Sequence, residues 1–108
     1  MVVITIQKSL KFRSEFKDQI ISGKKTTTIR LNKDFNEGDE VNIIVGNEII
    51  GKAMITKIIS TTLDKITDAD AIKDGLRNKT ELVHILKEIY GNKINDRTLY
   101  IIEYLIKK

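Results

Sequence analysis

Val41-Asn42-Ile43-Ile44-Val45-Gly46-Asn47-Glu48-Ile49-Ile50-Gly51-Lys52-Ala53-Met54-Ile55-Thr56-Lys57-Ile58-Ile59 is the stretch that decides the fold. Val41 to Val45 is apolar and β-branched and reads as a strand. Gly46-Asn47 reads as a hairpin turn, and Glu48 to Ile59 as a long second strand with Gly51 at a bulge. A two-residue connection leaves no room for a crossover helix. The pair is therefore antiparallel, which argues against a parallel doubly wound sheet.

Outward from this hairpin the chain alternates in short pieces. Val2 to Ile6 reads as a strand. Leu10, Phe12, Phe16 and Ile20 recur at helical spacing, which predicts a helix capped by Ser14 and ended by Gly23. Thr26-Thr27-Thr28-Ile29-Arg30-Leu31 reads as a strand leaving a tight turn, and Glu37-Gly38-Asp39 as a turn. Thr67-Asp68-Ala69-Asp70 reads as a capped helix start, with the helix ending near Gly75. Asn78 starts another helix whose apolar face is Leu82, Ile85, Leu86 and Ile89, with Glu81 completing a capping box and Gly91 as the stop. Thr98 to Ile106 is apolar on both faces, as an inner strand must be. The order predicts an α+β fold: a small, partly closed, mostly antiparallel β-barrel with about three short helices packed on it.

The chain has 108 residues, which predicts one domain over 1–108 with a single core. It has no Cys, so disulfide scaffolds, zinc ribbons and thiol nucleophiles are excluded. The net charge is +4, with Arg only at 13, 30, 77 and 97. Such a lysine-heavy balance admits an anionic partner without demanding one. Met1 to Ile6 lacks the basic start of a secretion signal, and no apolar run approaches the ~20 residues that span a bilayer. The expectation is a cytoplasmic protein with no membrane partner and an open oligomeric state.

The unusual segment is Gly23-Lys24-Lys25-Thr26-Thr27-Thr28-Ile29-Arg30. Strand alternation puts Thr26, Thr28 and Arg30 on one polar face, suited to an anion or a base edge. Thr27, Ile29 and Leu31 then face the core. The same run also reads as good strand formers on a solvated edge. It is not a P-loop, because the first glycine is missing and it runs from helix to strand.

Together with Phe16, Ile20, Gly38-Asp39, Thr67-Asp68, Asp74-Gly75, Glu81-Leu82, Tyr100 and Ile102-Glu103-Tyr104, this segment resembles the ASCH domain family of the PUA-like superfamily, from about Phe12 to Tyr104. The resemblance implies a small β-barrel with a basic cleft and an RNA-related function. Some small bacterial members are amidohydrolases that remove the acetyl group of N4-acetylcytidine. Matched by motif, their working Lys falls on Lys25 and their Thr on Thr28. Their Glu falls on Asp74, whose reach is shorter by more than about 1 Å. Glu81 is a fallback carboxylate, already explained by its capping spacing. Strict alternation would separate Lys25 from Thr28, so the strand must begin after Lys25.

Two functions follow. One is an RNA- or nucleoside-binding domain whose cleft is built on Lys24, Lys25, Thr26, Arg30 and Arg77. The other is deacetylation of N4-acetylcytidine, with Thr28 as nucleophile, Lys25 as base and Asp74 as acid. A domain that binds only protein partners is a third reading, which no long apolar pattern supports. Neither a cofactor nor a metal is expected: His84 is the only histidine, and Asp64, Asp68 and Asp70 lack the spacing of a calcium loop. Tyr90, Tyr100 and Tyr104 are candidates for stacking on bases, although Tyr100 and Tyr104 in an apolar strand read better as core. Lys79, beside Arg77, reads as a phosphate contact or an exposed helix start.

Overall fold

The computed structural model of the chain describes residues 8–107. The strand expected at Val2 to Ile6 lies outside the described residues. Five strands form one mixed sheet: β1 (Lys8–Phe12), β2 (Thr27–Arg30), β3 (Glu40–Val45), β4 (Glu48–Thr61) and β5 (Leu99–Ile106), in the order β1-β3-β4-β5-β2. Among the described residues, three α-helices complete the α+β fold: α1 (Lys17–Ile21), α2 (Asp68–Lys73) and α3 (Lys79–Tyr90).

The β3–β4 hairpin turns at Gly46-Asn47 and is antiparallel, as its two-residue loop requires. Its register slips between Ile43 and Ile44, so that Ile43 faces Gly51 and Ile44 faces Ile49. A second slip on the other side of β4 lies between Ile55 and Lys57. Bulges bend and twist a strand. They let the 14 residues of β4 serve β3 with their first half and β5 with their second. The sheet curls into a half-barrel.

β5 is apolar on both faces because each face has its own core. On β5, Ile102 and Tyr104 join a cluster with Leu10, Ile20, Ile43 and Ile55. Leu99 and Ile101 point the other way, into a cluster with Leu82, Leu86 and Ile94 beneath the helices.

The helical face expected from Leu10 onward is helical only from Ser14 to Ile21. Leu10 and Phe12 lie on β1, whose burial alternates with period two. That strand forms because β3 offers a parallel partner with Lys8 opposite Val41 and Phe12 opposite Val45, a long-range pairing with no local signature. Ser14 does not cap a helix; it opens a short 3-10 turn, Ser14–Phe16, whose start carries no side-chain cap. The apolar set still converges, since Leu10, Phe12 and Ile20 are buried in one core with Phe16 packed against it.

Other local signals hold. Thr67 and Asp70 form a reciprocal capping box at α2. Asn78 caps α3 through the Glu81 backbone N–H, but the Glu81 carboxylate turns to Arg77 instead of closing the box. β2 begins at Thr27, which leaves Lys25 in the turn before it.

Candidate active site

β1 and β2 are the two edges of the half-barrel, and Arg30 spans the seam between them. Its Nη2 donates to the Lys11 carbonyl of β1 at 2.7 Å, and its Nε donates to Thr28 Oγ1 at 2.9 Å. The guanidinium lies 5.2 Å from the centre of the Phe12 ring. Beside this clasp is a cavity of about 130 Å³. Lys25, Thr28, Arg30 and Asp74 supply polar groups to it, and Phe12, Phe16, Tyr90 and the Ile85–Ile89 flank of α3 supply an apolar wall. A small, largely apolar space with a few convergent polar groups is the usual form of a small-molecule site.

Asp74 is the C-cap of α2 and is buried. Gly75 follows with φ +90°, a conformation that glycine adopts without strain. A Cβ there would lie 2.7 Å from Gln19 Oε1 and 3.1 Å from Lys25 Cβ, so the glycine also permits close approach to the Lys25 stem. Hydrogen bonds stitch this helix end to the β2 approach. The Thr26 N–H donates to the Lys73 carbonyl at 2.8 Å, Lys25 Nζ donates to the Asp74 carbonyl at 2.9 Å, and Thr27 Oγ1 donates to Asp74 Oδ1 at 3.2 Å.

Lys25 also pairs with Asp74 Oδ1 at 3.1 Å, with 4% and 9% of the two side chains exposed. Its nitrogen lies 5.0 Å from the centre of the Phe16 ring. Two of the nitrogen's bonding directions are thus directed at Asp74. What remains is a proton in the ammonium form and a lone pair in the amine form. Burial lowers the Lys25 pKa, with Asp74 opposing and Arg30 adding to the shift. Burial raises the Asp74 pKa, against the pull of Lys25, Thr27 and Arg30. Both shifts favour the neutral pair, amine plus carboxylic acid. The shorter carboxylate of aspartate therefore still reaches the lysine.

Thr28 is buried, and its hydroxyl is bonded by Arg30; Lys25 donates to Asp74 and not to Thr28. The structure thus brings Lys25, Thr28, Arg30 and Asp74 to one cavity. Lys24, Thr26 and Arg77 do not line it. Lys24 is exposed, and Thr26 faces a different groove with Ile21, Ile50 and Leu105. Arg77 is exposed and held by Glu81 at 2.8 Å. Lys79 Nζ donates to the Asp64 carbonyl at 3.2 Å, and His84 is exposed beside Glu88 on α3.

Thr27 is the residue the strand pattern left out of the site. It is buried on the expected side, but its hydroxyl belongs to the site. Its signal was a polar side chain on a core face, since a buried hydroxyl must find a partner. Tyr104 is core, with its ring 5.7 Å from Phe12 and its hydroxyl donating to the Lys25 carbonyl at 2.9 Å. Tyr100 is half-buried, and Tyr90 lines the cavity. Among the described residues, no three His, Asp or Glu side chains cluster so as to hold a metal ion, and no helix is long and apolar enough to cross a membrane.

The half-barrel and its enclosed lysine–carboxyl pair define a small α+β domain with a cavity at the strand seam. The ASCH domain family matches residues 3–106, and the chain belongs to that family. A protein of Shigella boydii serotype 4 and one of Escherichia coli O139:H28, both named N(4)-acetylcytidine amidohydrolase, are each 27% identical to it over 99 residues, covering 88% of this chain and 92% of theirs. A crystal structure of an Enterococcus faecalis V583 protein superposes with a TM-score of 0.73 at 17% identity, covering 96% of this chain and 82% of that one. An ASCH domain from Lactobacillus crispatus JV V101 superposes at 0.64 with 14% identity, covering 91% and 80%.

Proposed function

We propose that the chain is an amidohydrolase that removes the acyl group from N4-acetylcytidine. One observation carries this reading: a buried lysine whose nitrogen donates to the Asp74 carbonyl and pairs with the Asp74 carboxyl, in a cavity that also presents a threonine hydroxyl. The names of the curated relatives support it. The size of the cavity suits a single base or its acyl substituent better than a length of nucleic acid.

Lys25 in its amine form takes the Thr28 proton, and Thr28 Oγ1 attacks the acetyl carbonyl carbon. The carbonyl π pair moves to oxygen, where the Arg30 guanidinium supplies positive charge. The oxyanion then collapses, the C–N bond breaks, and Asp74 protonates the departing N4. Cytidine leaves, with acetyl on Thr28. Water then attacks the ester and gives its proton to the Asp74 carboxylate, while Lys25 returns the proton it holds to Thr28 as acetate departs.

Incubation with N4-acetylcytidine, followed by chromatography for cytidine and acetate, tests the proposal. Lys25→Ala and Thr28→Ala should each lower kcat/KM by about 10²–10⁴-fold. Turnover that survives both substitutions overturns the assignment.

A second reading, binding of RNA at the same mouth, rests on exposed Lys11 and Arg13 at the cavity's edge. RNA affinity should then fall with salt by about one unit of log–log slope per phosphate contacted. No binding at low salt removes this reading.

A further inference from the structure

Thr27 is 1% exposed and does not line the cavity, so it touches no ligand there. Its hydroxyl hydrogen goes to Asp74 Oδ1 at 3.2 Å, the same oxygen that Lys25 Nζ reaches at 3.1 Å. Among the described residues, no donor bonds Oδ2. A carboxyl group whose one oxygen already accepts two hydrogen bonds takes its proton on the other, because the occupied oxygen has no lone pair left in the carboxyl plane.

We propose that Thr27 is a positioning residue. With Lys25 it occupies Oδ1, and so it fixes Oδ2 as the oxygen that holds the acid proton and delivers it into the cavity. This rests on the hydrolase reading above. In the acyl-transfer step the proton leaves Oδ2 for the departing nitrogen, and the resulting carboxylate charge is met by the hydrogen bonds already present at Oδ1. No group has to turn at that moment. Without the Thr27 hydroxyl, the carboxyl can rotate about its Cβ–Cγ bond and present either oxygen. The ionised form also loses a donor, so the carboxyl releases its proton at higher pH. The charged and titratable groups around Asp74 come from separate elements: Lys25 before β2, Arg30 on β2, Tyr90 on α3 and Tyr104 on β5. None of them is altered by a change at Thr27.

Thr27→Val keeps the shape and removes the donor; Thr27→Ser keeps the donor. For hydrolysis of N4-acetylcytidine, Thr27→Val should lower kcat about tenfold, as loss of one hydrogen bond would. KM should stay within about twofold, because Thr27 touches no ligand. The alkaline limb of the pH profile should move upward, and Thr27→Ser should restore both values. Independently of any substrate, titration of the Asp74 side-chain carboxyl carbon by NMR should show a higher midpoint in Thr27→Val than in the parent chain or in Thr27→Ser. Thr27→Ala gives the same comparison if the valine variant fails to fold. An Asp74 midpoint unmoved in the variants lacking the hydroxyl, or a serine variant that behaves like valine, overturns the role of Thr27. A parent chain that releases no acetate overturns the hydrolase reading instead, whatever the titration shows.

Discussion

Lys25 and Asp74 are ionisable side chains that the fold encloses together. Two ionisable groups taken from water are retained where a hydrophobic pair of similar volume would pack. Removing one partner leaves the other buried alone, so Lys25→Met or Asp74→Leu by itself should destabilise by about 3–5 kcal/mol. The double variant Lys25→Met/Asp74→Leu should recover most of that loss, read as the denaturant midpoint. A double variant no more stable than the singles would mean that the pair holds the fold together.

The pH dependence of stability follows from the same pair. Burial raises the Asp74 pKa from 3.8, so the folded state holds that proton more tightly than the unfolded chain, and stability is lost as pH rises through the folded value. Burial lowers the Lys25 pKa from 10.5, so stability is lost as pH falls from there through the folded value. The parent chain therefore carries a penalty between these limits, and the double variant should show a flatter profile of midpoint against pH. Equal slopes in the two proteins would place the cause elsewhere.

At the scale of elements, the site depends on how α2 begins and ends. Thr67→Ala removes one half of the capping box and should cost about 1 kcal/mol. Because α2 carries Asp74 at its other end, thermal melting should report the loss, with kcat little changed while the helix remains formed. Gly75→Ala is different in kind. It forces a positive φ on a residue with a Cβ and sets that carbon 3.1 Å from Lys25 Cβ. The expected cost is about 1–3 kcal/mol, with a loss of turnover as well, since the lysine stem must move. A fully active Gly75→Ala would show that the stem has room to yield.

The elements were unequally legible. The hairpin at Gly46-Asn47, the cap at Thr67 and the stops at Gly75 and Gly91 were readable because each is set by residues within a few positions of one another. The helical spacing of Leu10, Phe12, Phe16 and Ile20 misplaces the first two because spacings of two, four and four satisfy a strand followed by a short helix as well as one helix. The tie is broken by β3, which lies some thirty residues away. The site shows the same divide. The Gly-Lys-Lys-Thr run marked Lys25 and Thr28, but it gave Lys24 and Thr26 equal standing, and only the turn before β2 directs one lysine inward and leaves the other exposed.

On the scale of the whole molecule, β5 is the strand on which both cores rest. Ile102 is wholly buried, lies opposite Ile58 on one side and Thr28 on the other, and packs with Ile43 and Ile55. Ile102→Ala should cost about 2–5 kcal/mol in a denaturant titration. It should also lower turnover, because the ladder that holds Thr28 passes through that position. Retained activity with the same stability loss would show that β2 is held mainly by its contacts with α2.

The sequence by itself determined the α+β class, the antiparallel hairpin, the caps of α2 and α3 and the segment from Gly23 to Arg30 in which chemistry was to be sought. These are local properties, carried by the period of apolar residues, by turn residues and by caps. The tertiary structure alone decided that β1 is a strand, that Thr27 belongs to the site, and that Lys25 meets Asp74 across 49 positions of chain. Those outcomes depend on which distant segments share a core. They depend also on the low dielectric of that core, which lowers the pKa of Lys25 and raises that of Asp74.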